Sequence, residues 1–155
     1  MTSVIIPAFN EEAVIGRTLA SLLESIGDRP AEVIVVCNGC QDRTAEVAHR
    51  FASRVTVIET PQGGKCNAIN LGEQYGKTFP RIYLDADISV SPTFFADLEA
   101  AFDDTDVDAA WPSVHYDLNR CSWLVAGFYR VWTALPYNLL IRLSYSPDTQ
   151  DQAFS

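Results

Sequence analysis

The sequence predicts an α/β domain with a mostly parallel central sheet and helices on both faces. Three observations carry that expectation. Short apolar runs alternate with helical periodicities along the first hundred residues, as they do in sheets built from strand-helix-strand units. Several of those runs, such as Val33–Val36, are apolar without alternation, which suits a strand covered on both faces. The first four runs also end in polar residues, as expected where strand ends open on a ligand crevice.

The elements follow in order. Val4–Ile6 is a short strand, and Ile15, Leu19, Leu22, Leu23 and Ile26 then fall on one helix face. Asn10 is placed to cap that helix, with Glu11 and Glu12 in its first turn, where negative charge suits the helix dipole. Gly27 and Pro30 stop it. Val33–Val36 is the second strand, and Asp42 or Thr44 opens a helix carrying Val47, Ala48 and Phe51. The third strand, Val55–Ile58, runs into Pro61-Gln62-Gly63-Gly64, and a helix with Ala68, Leu71, Gly72 and Tyr75 on one side follows. Ile82–Leu84 is the fourth strand. Ser91-Pro92 reads as a cap and first helical position ahead of Phe94, Leu98 and Phe102. Val107–Trp111 is a candidate fifth strand. A compositional shift at Cys121 divides the chain into residues 1–120 and 121–155. In the second part Trp123, Leu124, Phe128, Val131, Trp132 and Leu135 form an aromatic helical stripe. That stripe fits a helix packed on the domain, or one facing a membrane surface or an acceptor.

Bulk properties narrow the function. The chain has 155 residues, enough for one domain with a real core, and 48% of them are hydrophobic. A net charge of −9 excludes the basic footprint that nonspecific nucleic-acid binding requires, but leaves anionic nucleotides open through a bridging cation. Met1 leads straight into Val4–Ile6 without a basic leader or a long apolar stretch, so a cytoplasmic protein is expected. Four cysteines, Cys37, Cys40, Cys66 and Cys121, are too sparse for a disulfide scaffold and read as reduced thiols.

The candidate chemistry sits where the strands end. Arg81-Ile82-Tyr83-Leu84 drives into Asp85-Ala86-Asp87, and if the strand continues through them the two carboxylates point the same way and can converge on one ion. Magnesium or manganese favours such oxygen ligands, with positions left for phosphate. Lys65 can meet a phosphate as a point charge, and Gly63 and Gly64 let backbone amides approach. A turn for the glycines and helix capping for Asn10 and the glutamates are the plainer readings. Cys37 and Cys40 form a C-x-x-C between strand and helix, which also suits a thiol oxidoreductase.

Val4-Ile5-Ile6-Pro7-Ala8-Phe9-Asn10-Glu11-Glu12, Val35-Val36-Cys37-Asn38-Gly39-Cys40-Gln41-Asp42-Arg43-Thr44, Gly64-Lys65-Cys66-Asn67-Ala68-Ile69-Asn70 and Leu84-Asp85-Ala86-Asp87 together resemble the family 2 glycosyltransferases of GT-A fold, in order and in spacing. The resemblance covers about the first two thirds of the chain, the nucleotide-sugar half of a Rossmann-like GT-A domain. It implies transfer of a sugar from a nucleoside-diphosphate sugar to an acceptor, a saccharide or a lipid-linked molecule, with inversion and with Mn2+ or Mg2+. By that resemblance Pro7, Asn10 and Glu12 line the base and ribose pocket and Asn38 contacts the base. Lys65 would approach the base or diphosphate, Asp85 the ribose, and Asp87 the metal. Cys37 and Asn38 replace the acidic pair usual in the family. The catalytic base of such enzymes lies beyond the Asp-x-Asp, and Asp151 in Pro147-Asp148-Thr149-Gln150-Asp151 stands in the matching position. A chain lacking the acceptor segment would instead be a module that holds nucleotide-sugar without transferring it.

Overall fold

The computed structural model describes residues 1–102, 109, 110 and 124. The chain divides into two compact units, Met1–Ala110 and Trp111–Ser155, and the first carries every element described below. Of the candidate fifth strand only residues 109 and 110 are described, and neither is in a strand; the aromatic stripe apart from Leu124, and Asp151, lie outside the described residues.

Four parallel strands form the sheet: β1 (Thr2–Ala8), β2 (Ala31–Asn38), β3 (Val55–Thr60) and β4 (Arg81–Tyr83). Their order is β3-β2-β1-β4. The chain therefore steps outward from β1 through β2 to β3 and then crosses to the other side of β1 for β4. Ligands bind α/β sheets at such a reversal, outside the carboxyl ends of the strands.

Four helices cover the two faces: α1 (Ile15–Ile26), α2 (Thr44–His49), α3 (Lys65–Tyr75) and α4 (Phe94–Phe102). Alternation along the strands sorts the apolar residues between faces. Val4, Ile6 and Ala8 of β1 and Val33, Val35 and Cys37 of β2 join Ile15, Leu19, Leu22 and Ile26 of α1, Ala48 of α2 and Phe95 of α4 in the larger core. Ile5, Ile34 and Val36 point the other way, onto Ala68 of α3. Both faces are filled, so the apolar runs need no polar alternation.

Helix α3 lies close on the sheet because Gly72 has no side chain. A Cβ there would stand 2.5 Å from Cγ2 of the fully buried Ile5, well inside contact distance. At the amino end of the sheet, Ser3, Thr78 and the Lys77 N–H all donate to Glu32, and Arg81 donates to Ser3, Glu73 and the carbonyls of Gly76 and Thr78. The Ser3 hydroxyl, first, and the Lys77 N–H outweigh burial and hold the Glu32 carboxyl below its ordinary range. This network fastens β4 to β1 and β2 far from the strand ends that open on the crevice.

Two helix starts differ from expectation. α1 begins at Ile15, with no acidic residue in its first turn and no side-chain cap. The Glu11 carbonyl accepts from the Val14 and Ile15 N–H groups at 3.0 and 2.9 Å, making a turn that precedes the helix. Asn10, expected to cap, is used elsewhere. α4 begins at Phe94, after a turn in which the Phe94 N–H reaches the Ser91 carbonyl at 3.1 Å, and Thr93 donates to Asp97 across the first helical turn. The hydroxyl that serves this start is Thr93, two residues after Ser91. α2 ends at His49, so Phe51 packs on the core from the turn that follows.

Gly72→Ala tests the close approach of α3. Overpacking should cost ~1–3 kcal/mol against the ~1 kcal/mol gained in helix propensity. A net loss of stability in urea denaturation is expected, and a more stable variant would show that α3 can ride farther from β1.

Candidate functional site

The carboxyl ends of the strands are laced together by their own side chains. After β1 the chain turns at Asn10, whose φ of 56° lies in the left-handed region that asparagine tolerates better than most residues. Its Oδ1 accepts from the Gln41 N–H at 2.8 Å. The Glu11 N–H donates to Thr44 Oγ1 at 2.7 Å, and the Glu12 N–H donates to Asp42 Oδ2 at 3.1 Å. In return Glu12 Oε2 accepts from the Arg43 N–H at 2.9 Å and from its guanidinium at 3.3 Å. The loops after β1 and β2 are thus one structural piece. Asp42 is central to it, also accepting from the Thr44 N–H and hydroxyl. Burial pushes the Asp42 carboxyl up, but the bonds from Thr44 and Glu12 outweigh burial and hold it below the usual range.

Asn38, the last residue of β2, ties in a third loop. Its side chain is 3% exposed; Nδ2 donates to the Ala8 carbonyl at 2.8 Å and Oδ1 accepts from the Gly64 N–H at 3.0 Å. Asn38 is a bracket in this structure, with both ends of its amide occupied by backbone, where the family resemblance implied a contact to the base. Gly39 follows with a φ of 65°, and a Cβ there would sit 3.3 Å from the Gly63 Cα, so the loops after β2 and β3 meet backbone to backbone.

The loop after β4 completes the edge. β4 ends at Tyr83, so the strand does not run through the two aspartates. The Leu84 N–H still donates to the Ile5 carbonyl at 3.1 Å, and the Ile88 N–H closes a turn onto the Asp85 carbonyl at 3.3 Å. Alternation nevertheless persists in burial: Leu84 and Ala86 are buried, while Asp85 and Asp87 are exposed. Both carboxylates are therefore left outside the core, because their apolar neighbours are anchored in it. Lys65, at the start of α3, donates to Asp85 Oδ1 at 2.5 Å. The two residues expected to meet separate parts of a ligand are here paired with each other, both at least half exposed.

Glu11 was the residue that sequence reasoning left without a site role. Burial, then the negative fields of Asp87, Asp42 and Asp85, push its carboxyl above the ordinary value. It stands on the side of the two aspartates, whereas Glu12 faces Arg43. In sequence the adjacent glutamates are equivalent, and only the turn at Asn10 separates their directions. Pro7 occupies the end of β1 and pairs in register with Val36.

Magnesium and manganese need only one or two protein carboxylates where phosphates supply the remaining oxygens. Asp87, with Glu11 beside it, fits that donor chemistry. Among the described residues no group of three or more His, Cys, Asp or Glu side chains gathers closely enough to hold an ion by protein ligands alone. Two grooves lie elsewhere: one of about 550 Å3 at the amino ends of β2 and β3, lined by Glu32, Thr56 and Gln74, and one of about 240 Å3 beside Thr60 and Asn70. Neither gathers the titratable groups of the crevice. Burial, and then Cys40, push the Cys37 thiol up to about 12, the opposite of the shift that activates a nucleophilic cysteine.

Comparison with known proteins decides the family. Residues 3–142 match the model of glycosyl transferase family 2. The chain belongs to that family. Among similar proteins of this glycosyltransferase family is the protein described as uncharacterized glycosyltransferase EpsJ of Bacillus subtilis, 30% identical over 112 residues, which are 70% of this chain and 32% of that protein. The 4,4'-diaponeurosporenoate glycosyltransferase of Staphylococcus aureus is 36% identical over 91 residues, 56% of this chain and 24% of the relative. The chain thus spans a quarter to a third of the length of these relatives. Among solved structures, S. aureus TarS 1-349 in complex with UDP superposes with a TM-score of 0.63 at 21% identity, covering 77% of this chain and 39% of that one. The complex of the same protein with UDP-GlcNAc gives 0.61 at 21% identity. At that identity the likeness establishes the fold, the Rossmann-like GT-A architecture.

Two substitutions probe the edge. Asn38→Ala removes both brackets and strands the Ala8 carbonyl and the Gly64 N–H, and should lower stability by about 2 kcal/mol in urea denaturation. Asn38→Asp should also destabilise, since a carboxylate cannot donate to Ala8; wild-type stability for it would show that the bracket is dispensable. Glu11→Gln should raise stability by roughly 0.5 kcal/mol at pH 7 in the absence of divalent cations. The sign follows from a folded-state pKa above the unfolded one. The cost of ionising Glu11 is absent below its ordinary pKa of 4.5 and develops as pH rises through the folded value. An advantage for the glutamine variant that persists unchanged at pH 3 would contradict this origin.

Proposed function

We propose that this chain is the donor-binding half of a metal-assisted glycosyltransferase, moving a sugar from a nucleoside-diphosphate sugar to an acceptor hydroxyl with inversion. One observation carries the reading: the loops after all four strands are joined at a single edge, where the strand order reverses, and present Glu11, Lys65, Asp85 and Asp87 there. UDP is the nucleotide to test first, since the TarS structures of the same fold hold UDP and UDP-GlcNAc.

In this proposal Asp87, with Glu11 near it, would hold a divalent cation that meets the diphosphate. A bound cation would stabilise negative charge on the departing nucleoside diphosphate. The Lys65 ammonium carries three donors and spends one on Asp85, so it can address a phosphate oxygen without leaving the site. Asp85, held by Lys65, is oriented for a ribose hydroxyl. Asn10 fixes the loop after β1, and its own amide is engaged by Gln41. Asp151 as the base, the saccharide or lipid-linked acceptor, a cytoplasmic setting and membrane contact through the aromatic segment belong to the same proposal and rest on the sequence. Among the described residues no helix is long and apolar enough to cross a membrane.

Calorimetric titration with UDP, GDP and ADP, each with manganese, tests the reading. At least one should bind, and Asp87→Ala should weaken it about tenfold or more, the size of effect expected for metal-site residues. Absence of binding by all three, or unchanged binding by Asp87→Ala, would overturn it. Manganese-dependent release of nucleoside diphosphate from the matching sugar donor then separates transfer from simple holding.

A further inference from the structure

The loop that carries Asp85 and Asp87 leaves the sheet at Leu84, and beyond that point no strand ladder holds it. Its buried Leu84 and Ala86 anchor it in the core, and a row of hydroxyls on α1 holds its backbone. Thr18, Ser21 and Ser25 are three and four residues apart, so they lie along one helix face. Each bonds the backbone of the segment after β4. Thr18 Oγ1 donates to the Ala86 carbonyl at 2.7 Å, Ser21 Oγ accepts from the Val90 N–H at 3.2 Å, and Ser25 Oγ accepts from the Phe95 N–H at 3.0 Å. Thr18 and Ser25 are buried, at 0% and 1% exposure. Of the three, Thr18 alone reaches the residue between the two aspartates.

We propose that Thr18 is a positioning residue for the donor site, fixing the Ala86 peptide from behind and with it the direction of both carboxylates. The proposal rests on the donor-binding reading above. The peptide after Ala86 leads directly into Asp87, so a rotation that frees the Ala86 carbonyl swings the Asp87 side chain away from Glu11 and Asp85. The turn's own Ile88-to-Asp85 bond, at 3.3 Å, is the longer of the two restraints. Because the carbonyl is buried, its partner cannot be replaced by bulk water, and release of the hydroxyl bond must be accompanied by movement of the peptide. Ser21 and Ser25 fasten the same segment farther on, where they set the course of the chain into α4 and not the aspartate turn.

Thr18→Val keeps the shape and removes the donor, and Thr18→Ser keeps the donor. Ser25→Ala removes a comparable buried bond at a site the proposal does not connect to the carboxylates. In titrations with manganese and UDP, GDP or ADP, corrected for the folded fraction, Thr18→Val should weaken binding about tenfold, as loss of a partner behind a metal ligand does, while Thr18→Ser stays within about twofold of wild type. Ser25→Ala should lower thermal stability without changing affinity. Wild-type affinity in Thr18→Val, or equal weakening in Ser25→Ala, would overturn the proposal. If the wild type binds none of the nucleotides, the donor reading fails by itself, and amide exchange then judges positioning. The Ile88 amide, bonded to the Asp85 carbonyl, should exchange about tenfold faster in Thr18→Val than in Ser25→Ala, with β1 unchanged. Equal rates there would overturn it. Should Thr18→Val not fold, Thr18→Ala carries the same comparisons.

Discussion

The Asn38 amide is the interaction on which the rest of the edge depends. It sits at the carboxyl end of β2 with its nitrogen on the Ala8 carbonyl and its oxygen on the Gly64 N–H. Those two bonds set the separation of three loops that are far apart in sequence. Two of the charged groups in the crevice are placed relative to them: Glu11 follows Ala8, and Lys65 follows Gly64. A buried amide makes a good bracket because it offers a donor and an acceptor of fixed geometry, and because leaving either backbone partner unmatched in the interior is costly. In this chain the position holds the architecture of the edge through one donor and one acceptor of its amide.

The bracket makes an electrostatically strained edge possible. Glu11, Asp42, Asp85 and Asp87 lie near enough for the last three to raise the Glu11 pKa, in a chain whose net charge is already −9. The protein answers part of this repulsion locally. Asp42 is satisfied by Thr44 and Glu12, Glu12 by Arg43, and Asp85 by Lys65. Neither Asp87 nor Glu11 is given a cation by the described residues. At this edge these two carboxylates keep their charge without a cation from the described residues beside it, which leaves the repulsion on Glu11 uncompensated.

Support for this edge comes from both sides of the sheet. On one face α1 packs its apolar stripe into the larger core and turns its hydroxyls toward the segment after β4. On the other, α3 approaches closely enough at Gly72 for its first residue, Lys65, to reach Asp85. The amino ends of the strands are fastened separately by the Ser3, Glu32 and Arg81 network, so the crevice loops do not carry the burden of holding β4 in place.

Much of this was legible in the residues. Continuous apolar runs with helical periodicities between them determined a parallel sheet covered on both faces, because a strand buried on two sides has no polar alternation to show. Polar strand ends pointed to a shared edge, which the structure forms, and four motifs in order pointed to the family. Tertiary structure alone decided which way those residues face. Glu11 and Glu12 are interchangeable in sequence, yet the left-handed turn at Asn10 sends one toward Asp85 and Asp87 and the other toward Arg43. Asn38 reads as an exposed contact until Ala8 and Gly64 close on it. Asp85 and Asp87 are both exposed, though β4 has ended, because Leu84 and Ala86 are buried, and Thr18 bonds the Ala86 carbonyl between the aspartates. Local propensity and periodicity are properties of neighbours along the chain, whereas these orientations are set by hydrogen bonds spanning about thirty to seventy residues, which exist only once the sheet has formed.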